Sequence, residues 1–193
     1  MKRIRTVLPV VFVVCGVLCL IGAVTVYALD RSNAENGVEW YVTITGADGK
    51  QTVISYKEIK AMPSYEGWGG SFSTAGTVSG PYKVKGVRLE NLCNLSGGVT
   101  PSQAVIVSAI DGYSMVYDYE QLQGEFDTYD PETMKVMEHD ELELILMYEQ
   151  SGKPLSQEYG KPLRIATAGT DKHLTEGHYW VKWVGTIEIM NID

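Results

Sequence analysis

The side chains best suited to metal or proton chemistry are few. Of three histidines, His173 and His178 bracket the loop "TDKHLTEGHY", close enough to deliver two imidazoles to one metal. Two ligands from one loop do not complete a site, and His139 lies far away within an acidic run, so both are read as solvated loop histidines. Cys15 and Cys19 fall inside a long apolar run, which leaves Cys93 alone in the rest of the chain. That excludes an internal disulfide and a Cys-x-x-Cys zinc site. Cys93, in a Leu-rich segment, reads as a small buried apolar residue. The run 127–143 carries Asp127, Asp130, Glu132, Glu138, Asp140, Glu141 and Glu143 without the spacing of a calcium loop, and reads as a solvated face. Trp68, Trp180 and Trp183 could wall a flat heterocycle, although tryptophans in a domain of this size belong mostly to the core or its edge. Asp111 and Gly112 read as a turn, and there is no P-loop. No metal site is expected from these residues.

The surroundings of these groups narrow their partners. Lys2, Arg3 and Arg5 precede residues 7–29, 23 residues without a charge. As a helix that run spans about 34 Å, enough for a bilayer, whereas a signal-peptide core is usually about 7 to 15 residues. The reading is a cytoplasmic segment 1–6, a transmembrane anchor 7–29, a polar linker 30–37 and an extracytoplasmic domain 38–193. Cleavage after Val26-Tyr27-Ala28, giving a secreted domain, is the alternative. Basic residues before the run keep the amino terminus cytoplasmic. The net charge of −8 becomes −11 for the exported part once three positive charges are removed with the anchor. Such a surface repels phosphate backbones, so nucleic acid is excluded as a partner.

Strand alternation in "VEWYVTIT" and "QTVISY", around the turn "GADGK", predicts a hairpin. Ser55 and Glu58 have capping-box spacing for a short helix that Pro63 ends. The stretch "SFSTAGTVSG", residues 71–80, holds one large apolar side chain among small residues and hydroxyls. Something must approach its backbone closely, or it is a loop without consequence. Val87, Leu89, Leu92 and Leu95 stand near helical spacing before Gly97 and Gly98. Residues 105–108 and 114–117 predict a second hairpin, and a short helix is expected near residues 134–137. "LELILMYEQSGKPL", "GKPLRIATAG" and "WVKWVGTIEIM" read as strands, the last alternating so that Val181 and Trp183 share a face opposite Lys182. These elements describe an α+β domain, mainly β with mixed sheets and short helices.

Four stretches in order, "KGVRLENLCNLSG", "SAIDGYSMVYDYEQL", "LILMYEQSGKPLSQEYGKPLRIATAG" and "HYWVKWVGTIEI", resemble the molybdopterin-binding domain of the sulfite oxidase family. They lie within residues 85–189. The resemblance implies a sulfite oxidase molybdopterin-binding-domain-like fold with a pterin cofactor in a cleft. It implies too that molybdenum is bound by the cofactor's dithiolene and one cysteine thiolate, on a strand of apolar, x, Cys, Ala, Gly pattern. Here "SFSTAG" matches that pattern with Thr74 in the cysteine's place, and no cysteine lies between Cys19 and Cys93.

By the same resemblance Arg164, in "PLRIA", would face the cofactor and could pair with a phosphate bidentately, or else be a solvated strand arginine. Lys182, in "WVKWV", matches the lysine that approaches the cofactor, and would point into a cleft or into water. Thr74, Arg164, Lys182 and His178 are therefore the expected cofactor-binding residues, molybdopterin the cofactor by resemblance, and molybdenum doubtful without a cysteine. "MKRIRT" has no adjacent arginine pair, which points to export of an unfolded chain, a route that a cofactor inserted in the cytoplasm would not survive. The expectation is a membrane-anchored, non-catalytic module that binds a pterin-like or small anionic ligand or serves a redox partner. A molybdopterin-dependent oxidoreductase with a non-cysteine ligand is the alternative.

Overall fold

The computed structural model describes residues 39–192. The anchor expected over 7–29 lies outside them, and among the described residues no helix is long and apolar enough to cross a membrane. The first sheet contains β1 (Tyr41–Thr45), β2 (Gln51–Ser55), β5 (Gln103–Ala109), β6 (Ser114–Tyr117) and β13 (Val184–Asn191), in the order β2-β1-β13-β5-β6. Only β1 and β13 run parallel there, so the last of the described strands is inserted beside the first of them. The second sheet contains β3 (Tyr65–Phe72), β4 (Val78–Arg88), β9 (Leu142–Gln150), β10 (Lys153–Pro154), β11 (Arg164–Gly169) and β12 (Thr175–Glu176). β4 pairs with both β3 and β9, β9 with β11, and β11 with β3, so these four strands close on themselves. A two-stranded ribbon, β7 (Thr128–Tyr129) with β8 (Val136–Met137), lies apart in the pairing.

Among the described residues three short α-helices link the strands: α1 (Tyr56–Ala61), α2 (Leu89–Cys93) and α3 (Tyr119–Leu122). α1 starts at the Ser55–Glu58 capping box, and Asp118 with Gln121 builds the same device for α3. The main core gathers Val42 and Ile44 of β1, Val105 and Val107 of β5, Ile187 of β13, Leu144 and Leu146 of β9 and Ile165 of β11, so it draws on both sheets. A second cluster joins Ile145 and Met147 of β9, Ala166 and Ala168 of β11, and Trp180. Alternate residues of β9 and β11 thus serve the two clusters, which is why both strands read as continuous apolar runs rather than alternating ones.

The close packing of β11 on β3 depends on glycine. A Cβ at Gly69 would stand 2.1 Å from the carbonyl oxygen of Thr167 and 3.3 Å from the ring of Trp180. In "GWGGSF", therefore, absent side chains let two backbones and an indole meet.

Several expectations need correction. "SFSTAG" is not strand throughout: β3 ends at Phe72 and Thr74 lies in the tip of a hairpin with β4. Val87 belongs to β4, because the helix begins only at Leu89. Residues 134–137 form no helix; Met134 has φ 56° and Val136–Met137 pairs with β7. The final strand starts at Val184 rather than Trp180, and Trp183, at φ 52°, turns the chain out of extended geometry just before it. His173 is not a solvated loop residue, being 1% exposed.

Candidate functional site

At the start of β11 the segment before β13 runs alongside it. Ile165 N–H donates to the carbonyl of Val181 over 2.8 Å, Val184 N–H to that of Leu163 over 3.2 Å, and Arg164 forms a bridge with Lys182. Two cationic residues far apart in the chain are thereby set face to face across the backbone pairing. They border a cleft of about 700 Å³, lined also by Thr74, Tyr82, Tyr113, Tyr159, His178, Trp180 and Trp183. The β3–β4 hairpin tip forms one edge. Its loop is fixed by Ser73 N–H donating to the Thr77 carbonyl, Gly76 N–H to the Ser73 carbonyl, and Thr77 N–H to Ser73 Oγ.

Arg164 is 7% exposed, and its guanidinium carbon lies 4.9 Å from the centre of the Trp180 ring. By strand alternation it shares a face of β11 with Ala166 and Ala168, the face packed into the second cluster with Trp180. Its Nε has no hydrogen-bond partner among the described residues. Burial pushes the guanidinium down to about 10, which leaves it charged at neutral pH. Lys182 is lowered too, first by burial and then by the charge of Arg164, against the opposing carboxylate of Glu158, and its Nζ donates to the carbonyl of Glu158 over 2.8 Å. Among the described residues the ion pairs are Arg88 with Glu143 and His178 with Glu176, so neither Arg164 nor Lys182 is in a direct ion pair, although the Glu158 carboxylate on the same cleft acts on Lys182. The indole Nε1 of Trp183, on the same cleft, is likewise buried without an acceptor. The cleft is a concave site that carries unspent donors and the positive charges of Arg164 and Lys182, with the carboxylates of Asp111 and Glu158 also on its lining. Chemically it can take an anion with several oxygen acceptors.

All four residues singled out from the sequence, Thr74, Arg164, Lys182 and His178, line this cleft. Thr74 is exposed at its rim, and His178 is also exposed, its Nδ1 3.0 Å from a carboxylate oxygen of Glu176. The expected alternation is overturned here: Lys182 and Trp183 both reach the cleft because positive φ at Trp183 rotates its side chain off the strand pattern. His173 is absent from the lining and shares no site with His178. Cys93, the one cysteine among the described residues, is buried in the main core, its thiol pushed up to about 12 by burial. It does not line the cleft, and no cluster of three acidic, histidine or cysteine residues suited to a metal occurs among the described residues.

Sequence reasoning missed Tyr82, Tyr113 and Tyr159 on the cleft. Tyr159 had a usable signal, since it stands in "EYGKPLR" just before Arg164. Gly160, at φ 92°, lets that segment lie against the stem of Lys182, where a Cβ would come within 2.9 Å.

A family model described as the oxidoreductase molybdopterin binding domain matches residues 29–193. The crystal structure of the sulfane dehydrogenase SoxCD from Paracoccus pantotrophus is similar, with a TM-score of 0.59 at 16% identity over 78% of this chain. The match covers 38% of the SoxCD chain, and at that identity the likeness shows the fold. No curated protein matches.

Proposed function

The chain belongs to the oxidoreductase molybdopterin binding domain family, and from that premise we propose that its cleft holds the phosphate-bearing end of a pterin cofactor or a similar small anion. The observation that carries this reading is Arg164: a buried guanidinium with an unpartnered Nε, beside Lys182 and in no ion pair among the described residues. A buried charge without a counter-ion is costly, and an anionic ligand is the natural compensation. Arg164 and Lys182 would hold the phosphate, Trp183 Nε1 would offer a further donor, and the aromatic walls would flank a flat ring. When bound, the complete cofactor would supply a redox-active molybdenum centre.

The residues present fit the pterin's anionic end better than its metal. No thiolate lines the cleft, and Thr74 offers only a hydroxyl, which donates charge to an oxidised metal poorly. The favoured function is therefore a non-catalytic binding or accessory module of an exported redox system, tethered to the membrane by residues 7–29 and facing outward. A partner protein would supply any electron transfer. The position of Thr74 on the cleft favours one second reading, a molybdopterin-dependent oxidoreductase in which Thr74 or water completes the coordination.

Metal and pterin analysis of protein purified from its own host separates the two. The module is expected to carry no stoichiometric molybdenum or tungsten; one metal with one releasable pterin per chain overturns it in favour of the enzyme. Thr74→Cys is expected to increase metal retention in a host that makes the cofactor. No gain would mean that Thr74 is not beside the metal position.

A further inference from the structure

Behind the cleft wall lies a polar chain that the cofactor reading does not use. His173 Nδ1 is 3.0 Å from the carbonyl oxygen of Asp171, and its Nε2 is 3.2 Å from Thr167 Oγ1. Thr167 Oγ1 is 3.1 Å from Thr175 Oγ1, which accepts from the indole N–H of Trp180 over 2.8 Å. His173, Thr167 and Thr175 are 1%, 0% and 0% exposed, so water does not compete for these groups.

The two ends fix the direction of every proton between them. A backbone carbonyl only accepts, so His173 Nδ1 carries the hydrogen. An indole N–H only donates, so Thr175 Oγ1 accepts from Trp180, and the acceptor within reach of the Thr175 hydrogen among the described residues is Thr167 Oγ1. Thr167 then donates to His173 Nε2, which must be bare. In the other tautomer the Nδ1 lone pair would face the Asp171 carbonyl. With both ring nitrogens protonated, Thr167 would have to accept from the imidazole and donate to Thr175, stranding the Thr175 hydrogen.

We propose that His173 is a positioning residue: its bare Nε2 ends a one-way hydrogen-bond chain through Thr167 and Thr175 that holds Trp180 against the Arg164 guanidinium. Trp180 lines the cleft with its ring 4.9 Å from the arginine carbon. Fixing the ring therefore fixes the arginine that the cleft offers to an anion. The consequence for binding rests on the anion reading of the cleft; the chain itself does not.

The full-length protein in detergent, labelled with ¹⁵N in histidine, tryptophan and arginine, tests this by NMR. In the wild type, His173 must show a protonated Nδ1 and an unprotonated Nε2; the opposite tautomer overturns the proposal. Thr167→Val removes the middle link at nearly constant volume. It is expected to move both the Trp180 indole and the Arg164 Nε signals, and Thr167→Ser to restore them. Unmoved signals in a folded Thr167→Val protein overturn the proposal. Thr175→Val breaks the chain one link nearer the indole and must give the same signature, which guards against a variant that fails to fold. With inorganic phosphate as probe, Thr167→Val should bind about 3- to 10-fold more weakly than wild type while Thr167→Ser matches it, a difference on the scale of one hydrogen bond. A wild type that binds no phosphate sinks the anion reading, while the NMR signals still decide the role of His173.

Discussion

Arg164 combines a charge held nearly out of water with an unpaired Nε, and the two make opposite demands on stability and binding. Replacing it by Met keeps the stem and removes the desolvated charge. Arg164→Met is expected to raise the melting temperature of the ligand-free protein, by about 1 kcal/mol or more in stability, while weakening phosphate binding about 10- to 100-fold. Thermal unfolding and titration of the same sample check both; a lower melting temperature would mean that the guanidinium already has a compensating partner. His173 gives a pH prediction. Burial holds its folded-state value below the usual 6.5, helped by repulsion from His139 and opposed by the Asp171 backbone and carboxylate. The unfolded chain then binds the proton more readily, so stability is full above about pH 6.5 and declines as pH falls below it, by at most about 1.4 kcal/mol per unit. In His173→Gln this component of the acid slope should vanish in unfolding curves taken from pH 7 to 5.

At the scale of elements, β3 and α2 make contrasting predictions. Gly69→Ala drives a Cβ toward the Thr167 carbonyl and the Trp180 ring, and should cost about 3 kcal/mol in denaturant unfolding. Gly76→Ala, in the hairpin tip at φ 80° with nothing near its Cβ, should cost only about 1 kcal/mol, the conformational strain alone. Equal losses would argue against close contact between β3 and β11. α2 buries Cys93 with its thiol raised to about 12, so in the native protein at pH 8 it should resist alkylation and react only after unfolding. The hairpins at 41–55 and 103–117 were legible because alternation and turn residues are local signals. The β7–β8 ribbon was not: a two-residue pairing leaves no period, and the helical reading of 134–137 had nothing to contradict it.

Across the whole molecule the cleft is assembled from the β3–β4 hairpin tip, the β5–β6 turn, the segment leading into β11 and the segment before β13, so it exists only when strands of both sheets are in place. Thr74, Arg164, Lys182 and His178 were already legible as candidate cofactor-binding residues in the sequence. Arg164, Lys182 and His178 fall in motifs that hold family-like order within residues 85–189, Thr74 falls in the upstream match "SFSTAG", and no cysteine stands between Cys19 and Cys93. Tertiary structure alone decided that these four residues line one cleft, that Trp183 joins Lys182 there, and that His173 is buried behind Trp180 rather than solvated. The physical reason is that local pattern reports which way a side chain leaves its own strand. Burial, the loss of a counter-ion and the direction of a hydrogen-bond chain depend on which distant strand is packed against it.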